Sequence, residues 1–116
     1  MRIEVKGRNL PVNDELRAHV VHRFRVIDRQ VSEFAELEVE VFHENNPAIA
    51  DSQVAEGTLH LKGVTLRAQS RSPDLMHSIN VISKELTVQV KRHRDKLRRR
   101  RDIRTPEAKF GGPQAV

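Results

Sequence analysis

The sequence contains no cysteine, tryptophan or tyrosine, and only four phenylalanines, five glycines and five prolines in 116 residues. Without cysteine there is neither a disulfide framework nor a thiolate metal site. With so few aromatic side chains, the sheet-borne platform on which many RNA readers stack bases is not expected. No apolar run approaches the roughly 20 residues that span a bilayer, and the opening MRIEVKGRNL alternates polar and apolar residues where a secretory signal would carry an apolar core. There is no glycine-rich phosphate loop, and Ser52, Ser70, Ser72 and Ser83 stand in no nucleophile elbow. These absences argue against a secreted protein, a membrane-spanning protein and an enzyme. They leave a single cytoplasmic domain, since a chain of this length buries about two thirds of its unfolded surface.

Charge is abundant, and it is segregated. Residues 84–104 hold ten Lys or Arg against three Asp or Glu, whereas residues 32–56 hold seven acids and no Lys or Arg. A chain polarised in this way presents an oriented field. Its basic end should seek a polyanion, and the acidic stretch should face away from it.

Hydrophobic periodicity divides the chain into six elements. Residues 2–8 alternate as a strand, with Ile3 and Val5 on one face. Asn13 is a good N-cap, and Leu16, Val20, Phe24, Ile27 and Val31 recur at helical spacing, which predicts one amphipathic helix over 14–30. Residues 36–43 form a strand with Leu37, Val39 and Val41 inward and Glu36, Glu38 and Glu40 outward. ENNPAIADS at 44–52 is a loop, and strands follow at 53–62 and 64–69 around a Lys62-Gly63 turn. Ser72-Pro73-Asp74 predicts a helix start with Ser72 at the N-cap, opening a stripe of Leu75, Ile79, Ile82, Leu86, Val90, His93 and Leu97.

The order βαβββα implies an α+β fold, a four-stranded mixed sheet with both helices packed on one face. The second helix, drawn over residues 73–101, would be about 40 Å long, whereas strands of six or seven residues span about 20 Å. Its last turns should therefore project into solvent as a lever carrying Arg98, Arg99, Arg100 and Arg101.

On a helical wheel Lys84, Lys91 and Arg98 fall on one line with Arg94 and Arg101 beside it, while Arg92, Lys96 and Arg99 line the other flank of the apolar stripe. A solvated helix end, with cations favouring the dipole, explains one or two of these. Four consecutive arginines repel one another and exceed what a helix end requires, which favours phosphate binding. A membrane surface also suits the charge, but the apolar stripe is needed by the core. His19 and His22 lie three apart on the first helix with no acid to complete a metal set, so packing or surface roles are expected for them. The outward glutamates of residues 36–40 read as the wet face of a strand. No catalytic residue, metal or other cofactor, small-molecule substrate or membrane partner is expected.

Three segments, IEVKGRNLPVNDELRAHV, TLHLKGVTLRAQSRSPDLMHSIN and QVKRHRDKLRRR, resemble the bacterial hibernation-promoting factor and ribosome-associated inhibitor family over roughly residues 1–101. The resemblance implies a cytoplasmic domain that binds rRNA in the decoding channel of the small ribosomal subunit. There it would exclude mRNA and tRNA and inhibit translation under stress. Arg23 and Arg29 stand where that family has basic residues on its first helix, and Arg92 and Lys96 where it has them on the second. Its common DKLERQL run appears as Lys84-Glu85-Leu86-Thr87-Val88-Gln89-Val90, so Glu85 and Val88 replace a lysine and an arginine. The expected RNA-binding set is thus Arg23, Arg29, Lys84, Lys91, Arg92, Arg94, Lys96, Arg98, Arg99, Arg100 and Arg101. Residues 1–101 are expected to form the ribosome-binding domain, and residues 102–116 a flexible, linker-like tail. Pairing of two ribosomes is expected only through a further C-terminal domain that these 116 residues do not contain. The rival reading is a general module for structured RNA, without preference for the ribosome.

Overall fold

Side-chain alternation places Leu37, Val39 and Val41 of strand β2 (Glu36–His43) on the covered face of a four-stranded sheet. Strand β1 (Arg2–Arg8) pairs parallel with β2, in register Ile3 to Leu37 and Val5 to Val39. Strands β3 (Gln53–Leu61) and β4 (Val64–Ser72) continue the sheet antiparallel, giving the order β1-β2-β3-β4. The turn between β3 and β4 uses Gly63 at φ 80°, a left-handed conformation that glycine adopts without steric cost. The helical elements are α1 (Asp14–Arg23), α2 (Arg25–Asp28) and α3 (Leu75–Arg104). The computed structural model describes residues 1–46, 48 and 50–104, the last three by their backbone alone. Of the expected tail, Asp102–Arg104 continue α3, and everything beyond residue 104 lies outside the described residues.

The helices and the covered face of the sheet bury Leu16, Val20, Phe24 and Ile27 against Leu59, Ile79, Ile82 and Leu86, none of them more than 4% exposed. Gly57 sits where α3 crosses β3. A Cβ built on it would lie 2.9 Å from Cδ1 of Leu86 and 3.2 Å from Cδ1 of Ile82, so the missing side chain is what lets the helix approach.

Two local expectations are corrected. The single helix over 14–30 is two segments, broken at Phe24, whose φ of −93° and ψ of 7° leave the helical basin. The break survives because the carbonyl oxygen of Arg23 accepts a hydrogen bond at 2.9 Å from the Ser83 hydroxyl of α3, a donor from outside the helix. The apolar register is unaffected, and Phe24 and Ile27 remain fully buried. Ser72, expected as the N-cap of the long helix, instead ends β4. Its hydroxyl lies 2.7 Å from that of Ser78, which donates to the Gln53 carbonyl. Asp74 occupies the capping position, its carboxylate accepting from the Met76 N–H. Asn13 caps α1 as expected, accepting from the Leu16 N–H at 2.8 Å.

The lever is present. α3 has 30 residues, about 45 Å of helix, against strands of at most nine residues, about 30 Å. Burial along its stripe ends at Val90, His93 is half-buried, and every side chain from Arg94 to Arg101 is exposed. Leu97, the last member of the expected stripe, is 48% exposed because no strand reaches it. Among the described residues no helix is long and apolar enough to cross a membrane.

Candidate nucleic-acid interface

The sheet face opposite the helices is charged, and its charges compensate one another. The central strands carry Glu36, Glu38, Glu40 and Glu56, and the edge strands carry Arg2, Lys6, Arg8, Arg67 and Arg71. Arg8 pairs with Glu40 at 2.7 Å, Lys6 with Glu4 at 3.6 Å, Arg71 with Glu44 at 3.4 Å, and His60 meets Glu38 at 3.3 Å. The hydrogen bond from Arg8 to Glu40 holds that guanidinium above its ordinary pKa, and the same guanidinium stacks 4.1 Å from the centre of the Phe42 ring. Exposed pairs of this kind contribute little stability, but they leave the face with few cations available to a polyanion.

The helical side is different. Ser83 and Thr87 turn one flank of α3 toward α1 and α2, and a groove of about 640 Å³ runs between them. Its walls carry Arg23, Arg25, Arg29 and Lys84. Among the described residues, none of these four forms an ion pair with an acid. Arg23 is half-buried, and its Nε is out of contact with solvent and without a hydrogen-bond partner among the described residues. The groove's geometry is held by two polar links between α1 and α3. One is Ser83 to the Arg23 carbonyl. The other joins Nε2 of His19 to Oδ1 of Asn80 at 2.9 Å, so His19 serves packing between helices. No three His, Asp or Glu side chains converge as a metal-binding group among the described residues.

Three of the residues singled out from the sequence, Arg23 at the end of α1, Arg29 at the end of α2 and Lys84 on α3, are thus brought together. Lys91, Arg94, Arg98 and Arg101 extend the same flank along α3 by helical spacing, and Arg94 reaches Oε1 of Gln30 at 3.2 Å, just beyond α2. Arg92, Lys96 and Arg99 lie on the other flank, the one from which Gln89 donates to the Arg67 carbonyl of β4 at 2.8 Å. Arg100 follows the apolar line beyond the end of the sheet. The two flanks are joined by the exposed crest of α3, so the cations form one band and not two separate sites.

Neighbouring positions 84 and 85 diverge. Lys84 lines the groove, whereas Glu85 lines a hollow over β3 and β4 with Glu56, Arg67 and Gln69. The sequence reading missed Arg25, which lines the groove from α2, and the two exposed valines beside it, Val26 and Val88.

Comparison with known proteins agrees with this architecture. A ribosome hibernation promotion factor of Staphylococcus aureus is 30% identical over 101 residues, covering 86% of this chain and 52% of its own length. One from Picosynechococcus is 27% identical over 97 residues, covering 83% of this chain and 50% of its own. The chain therefore spans about half the length of the curated relatives it matches. Among solved structures, the Thermus thermophilus Protein Y N-terminal domain aligns with a TM-score of 0.70 and 26% identity over 80% of this chain and 99% of that domain. A ribosomal subunit interface protein from Coxiella burnetii shares the fold, with a TM-score of 0.69 at 15% identity over 82% of this chain and 99% of that one. The family profile described as Sigma 54 modulation protein / S30EA ribosomal protein matches residues 3–98, and the chain belongs to that family.

Proposed function

We propose that this domain binds the small ribosomal subunit at the decoding channel and inhibits translation sterically, by occupying space that mRNA and tRNA need. The relatives named as ribosome hibernation promotion factors support the ribosome as target. The observation that carries the reading is the asymmetry of charge compensation. On the open sheet face Lys6, Arg8 and Arg71 are paired to acids, whereas the band formed by Arg23, Arg29, Lys84, Lys91 and Arg92 has no acid paired to it among the described residues. A surface of this kind releases counterions when phosphates replace them, so binding should weaken steeply with salt. The absence of an aromatic platform favours recognition of backbone and shape over bases read one by one. Blocking needs no chemistry, and no catalytic role is assigned to any residue.

Co-sedimentation with ribosomal subunits across a salt series tests the reading. The chain should pellet with the small subunit, be displaced by tRNA with mRNA, and withstand a large excess of unrelated duplex RNA. Displacement by duplex RNA alone would favour a general structured-RNA module, and indifference to tRNA and mRNA would rule out the decoding channel.

A further inference from the structure

The groove between α2 and α3 has a feature that phosphate binding does not use. Val26 and Val88 both line it, at 50% and 47% exposure, among Arg25, Arg29 and Lys84. Thr87, also in the lining, turns its hydroxyl back onto the Ser83 carbonyl at 2.7 Å, so its proton is spent within the helix. The groove therefore sets two exposed apolar side chains among cationic ones. Its volume of about 640 Å³ falls within the roughly 300–1,000 Å³ of small-ligand sites. Arg23 adds a buried Nε–H without an acceptor among the described residues, and a buried donor of that kind calls for a partner.

We infer that this groove is a binding site for a single unpaired nucleotide, its base laid on Val26 and Val88 and its phosphate held by Arg23, Arg25, Arg29 and Lys84. The chemistry follows from the two surfaces. A base is flat and largely apolar on its faces, and leaving water for exposed valine surface beside guanidinium planes stabilises it. A phosphate attached to that base falls among the cationic side chains, where guanidinium groups bind it through paired N–H donors. A duplex cannot offer a base face to the valines without opening, so the site selects a bulged or terminal nucleotide of an RNA, or a free nucleotide. The inference rests on the helical side being the RNA-binding side, and it adds a nucleotide-sized specificity to a surface otherwise read as phosphate-binding.

The test uses the full chain and three RNA hairpins of one sequence: fully paired, with a single bulged nucleotide, and with an abasic residue at the bulge. The wild type should bind the bulged hairpin about fourfold to fifteenfold more tightly than the abasic one, the worth of one or two methylene-sized burials. Val88→Arg removes half of the apolar surface while adding charge, so it should lose this preference and still bind all three hairpins at least as well as the wild type binds the paired one. Val26→Arg should do the same from α2. Both sites are half exposed, and a thermal melt confirms that each variant is folded. Guanosine monophosphate that displaces the bulged hairpin from wild type, but not from Val88→Arg, would mark the site as open to diffusible nucleotides. Preference for the bulge without such displacement would mark RNA as its source. Equal wild-type affinity for the three hairpins, or a preference that survives both substitutions, overturns the nucleotide site and leaves the phosphate-binding surface intact. Failure to bind any hairpin overturns the nucleotide site, and co-sedimentation with the small subunit decides the ribosomal reading separately.

Discussion

The hydroxyl of Ser83 on α3 donates to the carbonyl oxygen of Arg23 at 2.9 Å, at the point where α1 stops and α2 begins. Ser83 is 5% exposed, so the bond is made away from bulk water. Leaving a buried carbonyl without its donor costs about 1–3 kcal/mol, and Ser83→Ala should lower the melting temperature accordingly. The same bond sets where α2 leaves α1, and hence where Arg25 and Arg29 stand. Ser83→Ala should therefore also weaken RNA binding at temperatures where the variant is fully folded, with Ser83→Thr restoring much of both. Thermal melts and RNA titrations check this, and an unchanged melting temperature would show that the bond contributes nothing.

The arginine cluster should separate affinity from stability. Arg98, Arg99 and Arg100 are exposed beyond the last strand and form no ion pair among the described residues, and Arg101 is exposed beside them. Changing all four to alanine should reduce the slope of log affinity against log salt by up to roughly 3, at about 0.7–0.9 per phosphate contact. Melting should change little, since the core ends at Val90. Titrations at several salt concentrations measure the slope. An unchanged slope would reduce the cluster to a solvated helix end.

Lys84 and Glu85 provide a test at single-residue resolution. Lys84 faces the groove, and Glu85 faces β3 and β4. Lys84→Ala should lower the salt slope by about 0.7–0.9, the value of one contact. Glu85→Lys should tighten binding at low salt only, through a field that about 0.15 M salt screens beyond roughly 8 Å. A gain from Glu85→Lys that persists at high salt would place this flank in direct contact with RNA.

Leu86 tests the core. It is fully buried and lies over Gly57. Leu86→Ala should cost about 2–5 kcal/mol through lost burial and the cavity left behind. Against a total of about 5–15 kcal/mol for a small domain, the variant should fold but melt earlier. It should bind RNA normally at low temperature and lose binding on warming, the reverse of the arginine variant. Circular dichroism melts run beside the titrations would show whether the two effects separate.

The order of strands and helices, the covered faces and the projecting lever follow from local rules. Leu37, Val39 and Val41 alternate with three glutamates, and the stripe from Leu75 to Val90 repeats at helical spacing, so each element announces its own inward face. Strand and helix rises then make the overhang of α3 a matter of length alone. The family pattern was legible for the same reason: it is written in element order and in the basic run from Lys91 to Arg101.

Contacts between distant residues were not legible. The helix over 14–30 has unbroken amphipathic spacing, and nothing within it marks Phe24 as a break; the donor that makes the break tolerable, Ser83, lies 60 residues away. Arg25 enters the groove because α2 packs beside α3, which is a tertiary event. Lys84 and Glu85 are neighbours in the chain yet serve opposite sides of one helix, because about 100° separates successive residues and packing alone sets which side meets α2. Ion pairing has the same origin: Arg8 is satisfied by Glu40, 32 positions on, through strand pairing. The sequence by itself determined the elements, their inward faces and the sign of the charge at each end. Only the tertiary structure decided which cations are neutralised and which remain available, because that depends on what folding places within a few ångströms of each charge.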